Sequence, residues 1–124
     1  MQQIKTGIYY PISYSINDTD FVDTVIHVKL EVLREDILCI EIYRKFIGGR
    51  SEFWFFKIAN IENSGQLITG KFVNSSLETP ENYIDFFTKG NIRIIQEEDI
   101  MMIQMIVENI NYIDINFSMV LKEM

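Results

Sequence analysis

Cysteine and histidine are almost missing from this sequence, and their scarcity excludes whole classes of site. The 124 residues include one cysteine, Cys39, so no disulfide can form within the chain. His27 is the only histidine, whereas a zinc site needs several His, Cys or carboxylate ligands that converge on one point. The sequence therefore predicts no metal site and no cofactor.

Long apolar runs are also missing. No stretch approaches the roughly 20 uninterrupted apolar residues that a membrane helix needs. The N terminus, MQQIKTGIYY, has no apolar run behind a basic stretch and so does not resemble a signal peptide. We therefore expect a cytoplasmic protein that makes no membrane contact.

Basic residues are fewer than acidic ones, so the net charge is −7 and the pI is about 4.6. A surface of this kind repels phosphate backbones and anionic lipids, so nucleic acid is not an expected partner. An acidic surface does complement a basic protein, and a protein partner is therefore the first expectation.

Catalytic motifs are missing as well. The sequence contains no GxGxxG, GxxxxGK[ST] or GxSxG pattern. Glu97, Glu98 and Asp99 fall in a predicted tight turn, where solvent screens their charges, and Cys39 lies in an apolar strand, where a buried thiol stays inert. We therefore predict that the protein is not an enzyme. An enzyme acting on a nucleotide-like anion is the weakest of the alternatives.

Strand-like alternation is what the sequence has in abundance. Alanine occurs once, at Ala59, and Ile, Val, Phe, Tyr and Thr dominate the apolar segments, a bias that favours strand over helix. The clearest segment is 21–33, with one face of Val22, Thr24, Ile26, Val28, Leu30 and Val32 and an opposite face of Asp23, His27, Lys29 and Glu31. Period two over this length predicts a strand with one wet side.

Other segments show the same alternation. Strands are predicted at 37–46, 51–58, 66–73, 91–96, 100–107 and 112–122, and Gly48-Gly49 is placed in a hairpin loop. The predicted inward residues are Leu38, Ile40, Ile42 and Phe46 in the second strand and Ile113, Ile115, Phe117, Met119 and Leu121 in the last. Near the start, Ile8, Tyr10, Ile12, Tyr14 and Ile16 form a further inward face, with Pro11 opposite. Proline lacks the ladder donor, so this strand should be at an edge or bulged.

One segment predicts a helix. Thr79 is a candidate N-cap, Pro80 suits the first helical position and Gly90 follows, so 80–88 is interpreted as a short helix that buries Tyr83, Ile84 and Phe87. With short turns joining its strands, the chain 1–124 is predicted to be a single all-β domain. It would have about eight antiparallel strands in an up-and-down meander that closes into a barrel or a sandwich.

The run SEFWFFKI, 51–58, is apolar on both faces of its strand. Lys57 shares a face with Phe53 and Phe55, so Trp54, Phe56 and Ile58 are assigned to the core. The segment IMMIQMIV, 100–107, is two-sided in the same way. Three explanations are open: the helix at 80–88 packs over one of these strands, the barrel is flattened so that they are central, or their outer faces contact another chain. A monomer seldom leaves large apolar patches exposed, and one short helix covers one patch rather than two. The pattern therefore favours contact with another chain.

Basic residues gather around the same hairpin, at Arg44, Lys45, Arg50 and Lys57. Arginine beside exposed aromatics is typical of interaction hot spots. The candidate binding residues are Phe53, Phe55, Trp54, Arg44, Arg50 and Lys57.

These features favour a small acidic protein-interaction module. One form of this hypothesis is an inhibitor of another protein, of the immunity or anti-defence kind. A homo-oligomer is a further expectation. The alternative is a carrier of a small apolar or aromatic ligand, because an eight-stranded barrel of the lipocalin type can enclose one.

Overall fold

The structure, a computed structural model, describes residues 4–85, 89–108 and 114–123. Its strands are β1 (Gly7–Ile16), β2 (Thr19–Asp20), β3 (Val25–Arg34), β4 (Ile37–Lys45), β5 (Ser51–Ser64), β6 (Leu67–Glu78), β7 (Tyr83–Asp85), β8 (Lys89–Glu97), β9 (Ile100–Glu108) and β10 (Ile115–Glu123). A 3₁₀ turn at Val22–Thr24 is the only helical element among these residues. Within the described part of the chain, nothing helical has the length and hydropathy needed to cross a bilayer.

Eight of the strands close into an antiparallel barrel. The order β1-β3-β4-β5-β6-β8-β9-β10 follows the chain, and β10 pairs back onto β1. The two short strands lie outside this circuit, β2 on β1 and β7 on β6. The predicted all-β, up-and-down meander is confirmed, and of the two predicted closures it is the barrel that forms.

The core fills the barrel. Every barrel strand contributes to its largest fully buried side chains, and β4 contributes the most: Tyr14, Leu30, Leu38, Ile40, Ile42, Phe56, Ile58, Ile68, Ile92, Ile94, Ile103 and Phe117. Alternation explains the set, because in each strand every second residue points to the inside. The inward assignment of Trp54, Phe56 and Ile58 is confirmed.

The barrel has two different ends. At the end called here the Arg44 end, β1, β4, β6 and β9 finish and the other four barrel strands begin. The opposite end, the hairpin end, carries the β3–β4, β5–β6 and β8–β9 turns. These two names are used below to locate the surface features.

In the first strand, the predicted inward and outward directions of the side chains are correct only in the second half. Tyr14 is inward and 1% exposed, but Ile12 is 52% exposed, and Tyr9, at 4%, occupies the inward position instead of Ile8 or Tyr10. The register shifts between Pro11 and Ser13. This bulge adds one residue and so reverses the side-chain direction on one side of it. The bulged alternative for Pro11 is thus confirmed.

The third strand is shorter than predicted. Residues 22–24 form the 3₁₀ turn, and the register shifts between Val25 and His27 and again between Val32 and Arg34. Val28 and Leu30 are buried as predicted. Ile26 and Val32, predicted to be inward, are exposed because they lie at these two irregularities.

The predicted helix at 80–88 is wrong. Thr79 and Asn82 exchange backbone hydrogen bonds of 2.8 and 3.3 Å, and the Asn82 N–H also donates to Thr79 Oγ1 at 3.1 Å. The four residues 79–82 therefore form a turn, and Tyr83–Asp85 returns along β6 as β7. Threonine, proline and asparagine favour turns as well as helix starts, so the capping signal was ambiguous. Tyr83 and Ile84 are exposed, and Phe87 lies outside the described residues.

Candidate functional site

Two of the six candidate binding residues point into the barrel. Trp54 is 7% exposed and Arg44 is 5% exposed. Both follow the inward alternation of their strands, since Arg44 comes two residues after Ile42 and Trp54 two residues before Phe56. Neither side chain belongs to the outer surface of β4 and β5.

Arg44 closes one end of the barrel with a set of specific contacts. Its Nε donates to Thr24 Oγ1 at 3.0 Å, and its Nη1 donates to Glu52 Oε1 at 2.8 Å. The indole N–H of Trp54 donates to the same Glu52 oxygen at 2.6 Å. Glu52 therefore neutralises the guanidinium and also fixes the orientation of the indole.

Aromatic rings surround the Arg44 guanidinium. Its carbon lies 4.9 Å from the ring centroids of Phe21 and Phe46 and 5.6 Å from that of Tyr14. Burial raises the pKa of the Tyr14 hydroxyl well above its usual range, and the positive charge of Arg44 offsets part of that rise. A cation enclosed by rings and paired with one carboxylate is a structural plug, because it leaves no approach for a ligand.

The outer side of β5 carries Phe53, Phe55 and Lys57, all of them half-buried. Phe53 continues a row of rings across neighbouring strands. The centroid of His27 on β3 lies 4.5 Å from that of Tyr43 on β4, which lies 4.6 Å from that of Phe53. We call the outward surface formed by His27, Tyr43, Phe53 and Phe55 the aromatic face.

A groove runs beside the aromatic face near the Arg44 end. It has a volume of about 540 Å³ and lies between Tyr43, Phe53 and the turn at Thr79-Pro80. A side chain of another molecule can enter this groove and contact both rings. Tyr83 stands at the far border of the face, 64% exposed.

Charges of both signs border the aromatic face. Lys29 lies 3.9 Å from carboxylate oxygens of Glu31 and Glu41, and Arg50 lies 3.8 Å from Glu81. Of the predicted basic rim, Arg44 is inside the barrel and Arg50 has an acidic neighbour in Glu81. The acidic residues around the face are Glu31, Glu41, Glu78, Glu81 and Asp85, and the basic ones are Lys29, Lys45, Arg50 and Lys57.

His27 and Tyr43 belong to this surface and were not among the candidate binding residues. Their contact depends on register: Tyr43 is opposite both His27 and Phe53. The hairpin loop sets the Tyr43–Phe53 register through Gly48 and Gly49, whose φ angles are +96° and +86°, whereas His27 comes opposite Tyr43 through the β3–β4 pairing. The loop itself was predicted, and extending its pairing outward would have identified Tyr43 as the neighbour of Phe53.

A second apolar surface lies on the opposite side of the barrel. Val120, Met102, Ile95 and Leu67 are successive partners on β10, β9, β8 and β6, and all four are half-buried and point outward. We call this row the aliphatic face. It includes Met102, one of the outward apolar residues of the segment 100–107.

A cleft of about 380 Å³ lies at the hairpin end. It forms because β5 continues to Ser64, whereas its pairing with β4 stops at Leu38 and Ile58. The β3–β4 turn and the β5–β6 hairpin diverge there, joined by a hydrogen bond from Ile61 N–H to Asp36 O at 3.3 Å. The cleft is outside the packed interior.

Groups with chemical reactivity are few in the structure. Cys39 is buried on the outer side of β4, and its pKa is raised, first by burial and then by the charge of Glu31. A thiol with a raised pKa is a poor nucleophile at neutral pH. Across residues 4–85, 89–108 and 114–123, no group of three or more His, Cys, Asp or Glu side chains is placed to hold a metal ion.

Comparison with protein-family models, with curated proteins and with solved structures found no match to this chain.

Proposed function

We propose that the protein is an interaction module that binds another protein through the aromatic face. The observation that carries the proposal is the row His27–Tyr43–Phe53, with ring centroids 4.5 and 4.6 Å apart on the outside of a closed barrel. Tyrosine and other large rings supply much contact area for little loss of side-chain freedom, and they dominate interface energetics.

The shape of the face supports a protein partner. The barrel core is complete without Tyr43 and Phe53, and the groove of about 540 Å³ beside them suits an inserted side chain. A row of rings on the outside of the barrel with an adjacent groove matches the usual anatomy of an interface, with an apolar centre inside a polar border.

Charge favours a basic partner. The protein carries a net charge of −7, and acidic residues outnumber basic ones around the aromatic face. Opposite charge on the partner would steer association and raise its rate. A basic partner that this protein covers and inhibits, as an immunity or anti-defence protein does, is the form of the proposal that fits this charge.

The proposal is tested by retention of proteins from extracts of the cells that make it. The immobilised wild-type chain is compared with Tyr43→Ser/Phe53→Ser and with the matched control Met102→Ser on the aliphatic face. We expect a basic protein that the wild type and the control retain and the double variant loses. Calorimetry with that purified protein should show that the double variant binds it with a binding free energy weaker by about 2–4 kcal/mol than that of the wild type.

Retention of the same proteins by all three chains would contradict the proposal. A carrier of a small molecule is the alternative, and the cleft at the hairpin end is its most suitable place, because large side chains occupy the barrel interior. A small molecule bound to the purified chain in a native mass spectrum, together with unchanged protein retention, would favour the carrier instead.

A further inference from the structure

The aliphatic face is poor in charge for a protein this acidic. On the Arg44 side of the row Val120–Met102–Ile95–Leu67, the adjacent row consists of Ser118, Gln104, Arg93 and Thr69, and on the hairpin side it consists of Lys122, Ile100 and Glu97. Arg93 is the one charged residue of the apolar row and the row on its Arg44 side. Two copies that each carry −7 repel one another over most of their surface, so a nearly neutral apolar face is where they can approach.

Charge on β8 is arranged symmetrically about the aliphatic face. Ile95 belongs to the apolar row, Arg93 lies two residues before it towards the Arg44 end, and Glu97 lies two residues after it at the hairpin end. All three side chains point outward, because the buried Ile92 and Ile94 alternate with them. At about 3.3 Å per residue, the two charges lie at equal distances of about 7 Å along the strand on either side of Ile95.

We propose that the aliphatic face binds a second copy of this chain, related by a two-fold axis that lies in the interface along the central residues of the row, Met102 and Ile95. Such an axis places each of these two residues against itself in the other copy. It also reverses the strand direction, so the Arg44 end of one copy lies over the hairpin end of the other. Arg93 of each copy then faces Glu97 of the other copy, which gives two ion pairs.

The side chains of the row suit this contact. A surface depression of about 310 Å³ runs along Ile95, Met102 and Val120, and the unbranched methionine can adapt its shape to an identical surface. The exposed Ile12 on the neighbouring β1 extends the apolar area. The aromatic face lies on the other side of the barrel, so dimerisation leaves it accessible, and this inference does not depend on the proposed function.

The test is sedimentation equilibrium of the full chain between 1 and 100 µM, values on the order of those at which modest dimers dissociate. The wild type should sediment at twice the 14.6 kDa of one chain. Arg93→Glu and Glu97→Arg should each weaken dimerisation by about tenfold or more, because each creates two like-charge contacts. The double variant Arg93→Glu/Glu97→Arg exchanges the charges and should restore the wild-type dissociation constant to within about threefold.

Met102→Lys should give a folded monomer by circular dichroism, because it places two ammonium groups together on the axis. The matched control, Ile26→Lys, alters an exposed apolar residue outside the face and should leave the dimer unchanged. A monomeric wild type at 100 µM, on the order of the upper limit for a specific dimer of this kind, would overturn the inference. So would a double variant that dimerises as poorly as the two single variants.

Discussion

The two sides of β5 carry similar residues and have different surroundings. On the inner side, Trp54 and Phe56 are buried among the rings of Phe72 and Phe117, whose centroids lie 5.3–5.7 Å from that of Phe56 or Trp54. On the outer side, Phe53 and Phe55 are half-buried, and Phe53 contacts the ring of Tyr43 on β4. Residue type alone therefore does not separate core from surface here. The direction set by strand alternation does, and the following substitutions test it.

Phe56→Ala should have the largest effect on stability. The side chain is fully buried, so its removal leaves a cavity and should lower the free energy of unfolding by about 3–5 kcal/mol. Urea unfolding followed by Trp54 fluorescence measures this loss. If the alanine variant does not fold, Phe56→Leu should still fold, with a loss of about 1–1.5 kcal/mol.

Glu52→Gln should have the next largest effect. Glu52 is also on the inner side of β5, and its Oε1 accepts hydrogen bonds from both Arg44 and Trp54. The substitution leaves the Arg44 cation without its counter-charge, and we expect a loss of about 2 kcal/mol in urea unfolding. The double variant Arg44→Met/Glu52→Gln removes both charges, keeps an oxygen acceptor for the Trp54 N–H and should recover most of that loss. A double variant less stable than Glu52→Gln would contradict the role of the pair as a plug.

Phe53→Ala should have the smallest effect on stability, about 1 kcal/mol or less, because the ring is already partly in water. The comparison with Phe56→Ala under the same urea conditions measures the difference between the two sides directly. Equal losses for the two variants would mean that Phe53 is as enclosed as a core residue. The aromatic face could not then be a free binding surface.

Alternation was sufficient to predict most of the barrel wall. It identified the inner side of β5, and it also contained the information that Arg44 lies inside. Leu38, Ile40 and Ile42 were assigned inward, and the same parity continues to residue 44. The prediction nevertheless placed Arg44 on the outer surface because its side chain is charged. The structure shows that a buried guanidinium is possible there because Glu52 and the rings of Phe21 and Phe46 surround it.

Irregular positions could not be predicted in the same way. A bulge after Pro11 changes the direction of Tyr9 and Ile12 without any change in residue pattern. The signals around Thr79-Pro80 fit both a helix start and a turn, and only pairing with β6 selects the turn. The aromatic row needed the cross-strand register as well, since its rings come from three separate strands.

The closure of the barrel also constrains the order in which the protein can fold. Ile16 pairs with Phe117 and Tyr9 with Glu123, so β1 has to wait for β10 to be synthesised. The hairpins between β3 and β9 join strands that follow one another, and they can pair while the ribosome is still extending the chain. Until β10 emerges, one edge of β1 has unpaired N–H and C=O groups, which makes this edge the segment most exposed to aggregation during synthesis.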